Sequence, residues 1–465
     1  MKKLLPLLLL PFSLCAQDNT RLFDEYMKGQ SDLYGFSGNV LIARKGTVIY
    51  EKSFGYSDYT SRKKLDKNSI FDCGSIAKEF TSMGILLLKD KGKIDYSDSL
   101  GKLLPELPYS SVTIQQLLTH TSGIPDGFGL LYTHFDHNKI ATNEDLIRLL
   151  AREKPPLLFK PGENLMYSGT AFNLLATIIE KLSGQSYNRY MHEQVFKPLG
   201  MAHTQVANRL RSEANIPGYA SGYLYSDSLK KYIRADSRPS GWTTYLVGIN
   251  GEGMIITTAE DLLKWDRALK NSSLLTQSTQ AQMVSLQYEK TSVPVISYGY
   301  GIRVGKNNFG DYVFHNGYYP GYTSMHLRYN EDDITVIVLS NNESRSDFIA
   351  DGLAGICLNK NIIMPYAHKE NVSGIDLNLF VGKYMMRLAR PPYMALFPTE
   401  LVVKNNKLYI HPARGSDIEL KPESDTKFFF ADGTDQQLEF ETAKDNPVKV
   451  WHTAWGIRTE IKRIN

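Results

Sequence analysis

The sequence predicts an α+β fold: an antiparallel sheet with a helical subdomain, followed by a small all-β barrel or sandwich. Alternating runs near both ends of the first 365 residues read as hairpins, and helical periodicity fills the interval between them. Past residue 371 almost every segment is short alternating β, separated by Asn, Gly, Asp and Pro turns. A chain of 465 residues also exceeds one ordinary core, so two domains are expected. The boundaries read as 1–16 for a leader, 17–365 for the large domain, 366–375 for a linker and 376–465 for the barrel.

The leader, MKKLLPLLLLPFSLCAQ, joins a basic pair to an apolar run over 4–14 and a small residue, Ala16. That is the pattern of a secretory signal peptide, too short to span a bilayer, with cleavage expected after Ala16. An exported protein, periplasmic or extracellular, follows. Lipid attachment at Cys15 is a minor alternative, because the large Leu14 precedes it. Next, NVLIAR and TVIYEKSF flank Lys45-Gly46 as a hairpin. A helix begins near Ser75, runs through EFTSMGILLLKDKG and stops at Gly92. Shorter helices are expected over 113–120, 143–152 and 172–182, the last ended by Gly184. Residues 210–245 lack periodicity and read as irregular surface structure, the usual place for substrate-selecting loops. Another helix follows Thr257 or Thr258 as its cap, with Glu260 and Asp261 in its first turn. Strands over 323–329 and 334–340 precede a last helix over 348–358.

Composition excludes several classes of function. The formal charge is +4, of which Lys2 and Lys3 belong to the leader, and no basic stripe offers a track for a phosphate backbone. Nucleic acid is therefore not an expected partner. Past the leader only Cys73 and Cys357 remain, too few for a disulfide scaffold. The histidines never fall into HExxH or another metal pattern, so neither a metal nor another cofactor is expected. No later stretch has the length and apolarity of a membrane-spanning helix.

The chemistry centres on Ser75-Ile76-Ala77-Lys78. A serine hydroxyl holds its proton at neutral pH and needs an adjacent base to become a nucleophile. Residues three apart at a helix start share one face, which brings the Lys78 amine beside Ser75. The helix N-terminus adds free backbone N–H groups and favours negative charge there. Partial burial is expected to lower the Lys78 pKa towards the range a base needs. Ser-x-x-Lys alone is a weak motif, because two common residues meet at that spacing by chance in most long chains. Tyr167, on a loop before a helix, supplies a phenol that can relay a proton from Ser75 to a leaving group. His315 lies at a strand edge leading into Gly317 and Gly321, where the backbone can approach a ligand. His120, in LLTHTSG, reads as an organiser of the turn beneath the site.

Taken in order, these segments resemble the serine β-lactamase and penicillin-binding superfamily. The nearest branch is the class C-like group that includes D-stereospecific carboxypeptidases, aminopeptidases and esterases. Ser75–Lys78 matches its serine motif, Tyr167-Ser168-Gly169 its tyrosine motif and His315-Asn316-Gly317 its third motif. The stretches TIQQLLTHTSGI, NLLATIIEKLSG, PLGM and GEGMIITTAEDLLKW fit as well. The 376–465 tail resembles the lipocalin-like β domain appended to some of these enzymes. The resemblance implies a β-lactamase/transpeptidase-like sheet, acylation of Ser75, participation of Lys78 and a proton relay at Tyr167. It also implies that His315 lines the site, and that Gly169, Asn316 and Gly317 contact substrate. Backbone N–H groups of Ser75 and Tyr318 would form the oxyanion hole. Two places depart from the pattern. Gly169 stands where the motif usually has Asn, so that polar contact is lost or comes from another residue. His315 stands where dedicated β-lactamases have Lys, implying a weaker, pH-dependent positive charge.

The leading function is thus a metal-independent serine hydrolase acting through an acyl-enzyme on an ester or amide. A peptidase or amidase for small, D-amino-acid-containing peptides or cell-wall fragments ranks first, a carboxylesterase second and a β-lactamase third. A competing class is a catalytically weak binding protein for an acyl or peptidoglycan ligand, with Gly169 as its support. In the tail, Trp451 and Trp455 read as barrel core, and the barrel is expected to pack against the large domain.

Overall fold

The computed structural model describes residues 12–207, 216–238, 240–290, 296–307, 309–387, 396–412, 416–443 and 446–464. Its largest sheet joins the two ends of the large domain. Eight antiparallel strands run in the order Tyr288–Lys290, Ile296–Tyr298, Arg303–Asn307, Gly310–Tyr319, Tyr322–Tyr329, Ile334–Ser340, Gly38–Arg44 and Thr47–Phe54. Leu41 faces Ile337 across the central pairing. Successive side chains on a strand point to opposite faces, so each central strand feeds two cores. Val40 and Ile42 join Phe23, Tyr26 and Phe348 beneath the helices Phe12–Tyr34 and Ser346–Cys357. Leu41 and Ala43 face the helical region instead, in the same cluster as Phe80, Leu118 and Trp265. Burial on both faces explains why ITVIVLS reads as an unbroken apolar run with little alternation.

The helices begin and end where side-chain chemistry dictates. Thr113 and Thr142 form capping boxes with Gln116 and Asp145. Ser168 caps Gly169–Ser183, which ends at Gly184 in a left-handed turn. Of the two threonines proposed to cap the helix at Ala259–Asn271, Thr258 does so, while Thr257 ends a short strand. The 210–245 stretch is more ordered than its composition suggested. Tyr223–Ser226 and Lys231–Arg234 form a hairpin, and Tyr223 is buried. Its alternating tyrosines pack against Tyr59, which fixes a register that a mostly polar pattern does not advertise. Residues 210–215 and 239 of that stretch lie outside the described residues.

Residues 1–11 of the expected leader also lie outside them, and Ala16 falls within the first helix. Among the described residues, no helix is long and apolar enough to cross a membrane.

The C-terminal strands close into an eight-stranded barrel. Its interior is filled by Phe380, Tyr384, Leu401, Ile410, Phe428 and Phe440 with their neighbours. Eight strands enclose just enough room for such filling, so this barrel is a packed core. The tryptophan expectation needs correcting. Trp451 lies on the outer surface under Arg458, and Trp455 leaves the barrel altogether. Trp455 stacks on Phe348 with 4.5 Å between ring centroids, and Tyr26 Oη donates to its carbonyl at 2.9 Å. It therefore docks the barrel onto the large domain. Gly352 makes room for this, since a Cβ there would meet Tyr26 Oη at 2.2 Å.

Candidate active site

Ser75 sits in a tight turn, Gly74–Ile76, that leads directly into the helix Ala77–Asp90. The turn is held from two sides. Gly74 N–H donates to Asp72 Oδ1 at 2.7 Å, and Ser324 Oγ donates to the Cys73 carbonyl at 2.8 Å. Gly74 has φ +50, and a Cβ on it would lie 2.6 Å from Tyr318 N. A Cβ on Gly317 would lie 2.0 Å from the Cys73 carbonyl oxygen. These two glycines press the strand Gly310–Tyr319 against the serine turn, which brings the Tyr318 backbone alongside it. Asn316 is buried in that strand, whereas the Tyr318 ring is 44% exposed and its hydroxyl donates to Glu343 at 2.8 Å.

Lys78 is 0% exposed, and its three N–H bonds have three acceptors. Its Nζ lies 3.1 Å from Ser75 Oγ, 2.8 Å from the Glu252 carbonyl oxygen and 3.2 Å from Glu252 Oε2. The expectation of a lowered pKa is overturned here. Burial pushes the ammonium down, but Tyr167 and the Glu252 carboxylate outweigh it and hold Lys78 above its ordinary value. The resting lysine is a cation.

Tyr167 is brought to the same place. Its ring centroid lies 4.9 Å from Lys78 Nζ, and its hydroxyl interacts with the ammonium. His120 backs the ring at 4.4 Å between centroids. The Ser168 N–H donates to His120 Nδ1 at 3.0 Å, and Met166 N–H donates to the His120 carbonyl at 2.9 Å. His120 thus anchors the tyrosine loop from beneath.

His315 is near but does not supply the expected pH-dependent charge. It is buried, its Nδ1 lies 2.7 Å from the Asn316 carbonyl and its Nε2 lies 2.9 Å from Tyr298 Oη. Burial, with the positive Arg303 and Lys78 nearby, drives its pKa well below the usual histidine value. It is a neutral imidazole accepting from a tyrosine. The fixed cation behind Tyr167 is Arg303, 5% exposed and 5.8 Å from that ring.

The residue that sequence reasoning missed is Glu252. A Cβ added at Gly169 would lie 3.4 Å from Glu252 Oε2 and 2.9 Å from Phe128 Cε2. The carboxylate therefore borders the space that a side chain at position 169 would enter. Its only advance signal was an acidic residue between two glycines, Gly251 and Gly253. Gly251 has φ +103, and a Cβ there would lie 2.3 Å from the Phe172 carbonyl oxygen. Thr81 Oγ1 donates to the Gly251 carbonyl at 2.6 Å, tying this loop to the serine helix.

A second charged group lies on the far side of that helix. Glu79 accepts from Trp265 Nε1 at 2.6 Å and meets His326 at 3.1 Å, and His326 meets Asp266 at 3.1 Å. Arg328 pairs with Asp266 at 2.7 Å. Burial pushes His326 down, but its two carboxylates raise it to about 9.

The Beta-lactamase family matches residues 20–356. Penicillin-binding protein 4* of Bacillus subtilis (strain 168) is 33% identical over 419 residues, covering 88% of this chain and 91% of the relative. The putative penicillin-binding protein PbpX of the same organism is 30% identical over 330 residues, covering 70% and 74%. An octameric penicillin-binding protein homologue from Pyrococcus abyssi superposes with TM-score 0.66 at 23% identity, covering 95% of this chain and 99% of that one. The D-amino acid amidase of Ochrobactrum anthropi SV3 superposes with TM-score 0.60 at 21% identity, covering 75% and 98%. Below 25% identity such likeness concerns the fold.

Proposed function

We propose that this chain, which belongs to the beta-lactamase family, is a metal-independent serine hydrolase that works through an acyl-enzyme at Ser75. The observation that carries the reading is the 3.1 Å contact between Ser75 Oγ and a fully buried Lys78 Nζ. A lysine costs several kcal/mol to bury as a cation unless its partners compensate, and here one of those partners is the serine hydroxyl. Lys78 relays the serine proton during attack, giving up one of its own as it takes that one, and Tyr167 returns a proton to the leaving group. The backbone N–H groups of Ser75 and Tyr318 stabilise the charge that develops on the acyl oxygen. His315 lines the far wall as a neutral group, and Asn316 contacts substrate from the same strand.

The preferred substrates are small amides and peptides containing D-amino acids, cell-wall fragments among them. Among the described residues, a neutral His315 and a buried Arg303 leave that strand without an exposed cation for a substrate carboxylate. This favours amides and esters over penicillins and peptides with a free C-terminus. Likeness to penicillin-binding proteins keeps cell-wall peptides among the candidates, and the fold is shared with a D-amino acid amidase. The 1–16 leader directs the protein out of the cytoplasm.

The test is intact-protein mass after brief exposure to a D-amino-acid amide, an activated short-chain ester and a penicillin, beside Ser75→Ala. The expected result is an adduct in the wild type alone, with the amide turned over fastest and the penicillin adding slowest. No adduct and no product from any donor would leave a ligand-binding protein as the better description.

A further inference from the structure

The site holds one more ionisable group in contact with its machinery, and no sequence motif assigns it. Glu252 Oε2 lies 3.2 Å from Lys78 Nζ, and its side chain is only 13% exposed. Its position is tightly fixed. The backbone on one side is Gly251, tethered by Thr81 at 2.6 Å, and the Glu252 carbonyl itself accepts from Lys78 at 2.8 Å. A serine proton cannot enter an ammonium that already carries three, so Lys78 must lose a proton as it gains one. Among the described residues, Glu252 is the carboxylate that forms an ion pair with Lys78.

We propose that Glu252 is a positioning residue that aims Lys78 at Ser75 and takes a proton from it as Ser75 is deprotonated. The inference rests on the acyl-enzyme reading above. In the step, the Ser75 Oγ–H bond breaks and its proton goes to Lys78 Nζ, while one ammonium proton passes to Glu252 Oε2. The freed electron pair on Oγ forms the bond to the acyl carbon. When the bond from that carbon to the leaving group breaks, the leaving group takes the Tyr167 hydroxyl proton. Tyr167 is refilled from Lys78, and Lys78 from Glu252, so the site returns to its starting charges. Tyr167 stands beside Lys78, as its refilling from the ammonium requires.

The arrangement also explains Gly169. A longer side chain there would push into the Glu252 carboxylate, 3.4 Å from the Cβ position. Other titratable and charged groups surround the pair. Asp126 stands on the facing loop, its carboxyl raised by burial and by Glu252. Tyr167 stands across Lys78, with His120, His315 and Arg303 behind it.

The test compares wild type, Glu252→Gln and Glu252→Asp in single-turnover acylation across pH, using the donor that labels Ser75 fastest. Glu252→Gln keeps the size and one acceptor, so Lys78 stays placed while the proton sink is lost. Acylation should fall about 100-fold or more near neutral pH, within the range general-base groups contribute. Its rate should then climb with pH where the wild type is flat, because Lys78 must lose its own proton first. Glu252→Asp should recover part of the rate and the wild-type profile. Glu252→Gln acylating within about threefold of wild type, with the same profile, overturns the proposal. So does a uniform loss in all variants that a lowered melting temperature accounts for. A wild type that forms no adduct would instead overturn the acyl-enzyme reading itself.

Discussion

Lys78 and Glu79 are neighbours on one helix and equally buried, yet they belong to two different kinds of site. Lys78 faces the cleft and touches a hydroxyl and a carboxylate that can both exchange protons with it. Glu79 faces the sheet and is locked between Trp265 and His326. The first pair leaves a serine hydroxyl beside a charge, with a phenol next to it. The second lets each charge answer another, and it fastens the serine helix to the strand Tyr322–Tyr329 and the helix Ala259–Asn271. Burial alone does not distinguish chemistry from scaffolding. What distinguishes them is whether the partners can change protonation during a reaction.

If that contrast is right, mutations one residue apart should separate activity from stability. The largest effect is expected for Lys78→Met, which should lower acylation about 10⁴-fold or more, roughly 5 kcal/mol of barrier. Its urea unfolding midpoint should fall less than that of His326→Leu, since the one carboxylate it leaves unpaired, Glu252, is 13% exposed and can take up water. Next comes His326→Leu, which strands Glu79 and Asp266 and should cost about 3–5 kcal/mol of stability. Acylation per folded molecule should change far less than in Lys78→Met. A His326→Leu protein as stable as wild type would erase the distinction between the two sites.

A third prediction concerns pH. His326 is raised from an ordinary 6.5 to about 9, so its contribution is fully present below 6.5 and is lost as pH rises through 9. Melting temperature should therefore decline between those values in wild type, and this component of the decline should vanish in His326→Leu. The smallest effect is expected for Gly169→Ala. Its Cβ would lie 2.9 Å from Phe128 Cε2, so that ring must give, and in contact with Glu252 Oε2 at 3.4 Å, where it takes space beside the carboxylate. A loss of about tenfold in acylation is expected, with stability nearly unchanged. A larger stability loss would mean that position 169 serves packing and not the charge pair.

Much of this was legible in the sequence, and the reasons are physical. The hairpin at Lys45-Gly46, the caps at Thr113 and Ser168 and the pairing of Ser75 with Lys78 are local, so spacing reveals them. The packed barrel followed from alternation and turn residues. Glu252 did not show, because its meeting with Lys78 spans 174 residues and depends on Gly169 having no side chain. The charge states of Lys78 and His315 were misjudged for a similar reason. Each depends on a sum of burial and distant partners, Glu252 for one and Arg303 for the other, that no spacing encodes. Trp455 reads as barrel core until the helix Ser346–Cys357 is seen to offer Phe348 to it.

The most direct test of the account is to locate the acyl group. Wild-type protein would be quenched during turnover of a D-amino-acid amide or an activated ester, digested and sequenced by tandem mass spectrometry. The account predicts that the added mass falls on Ser75, that Ser75→Ala carries none, and that Lys78→Met gains it at least about 10⁴-fold more slowly. An adduct on another residue, or one that persists in Ser75→Ala, would contradict it.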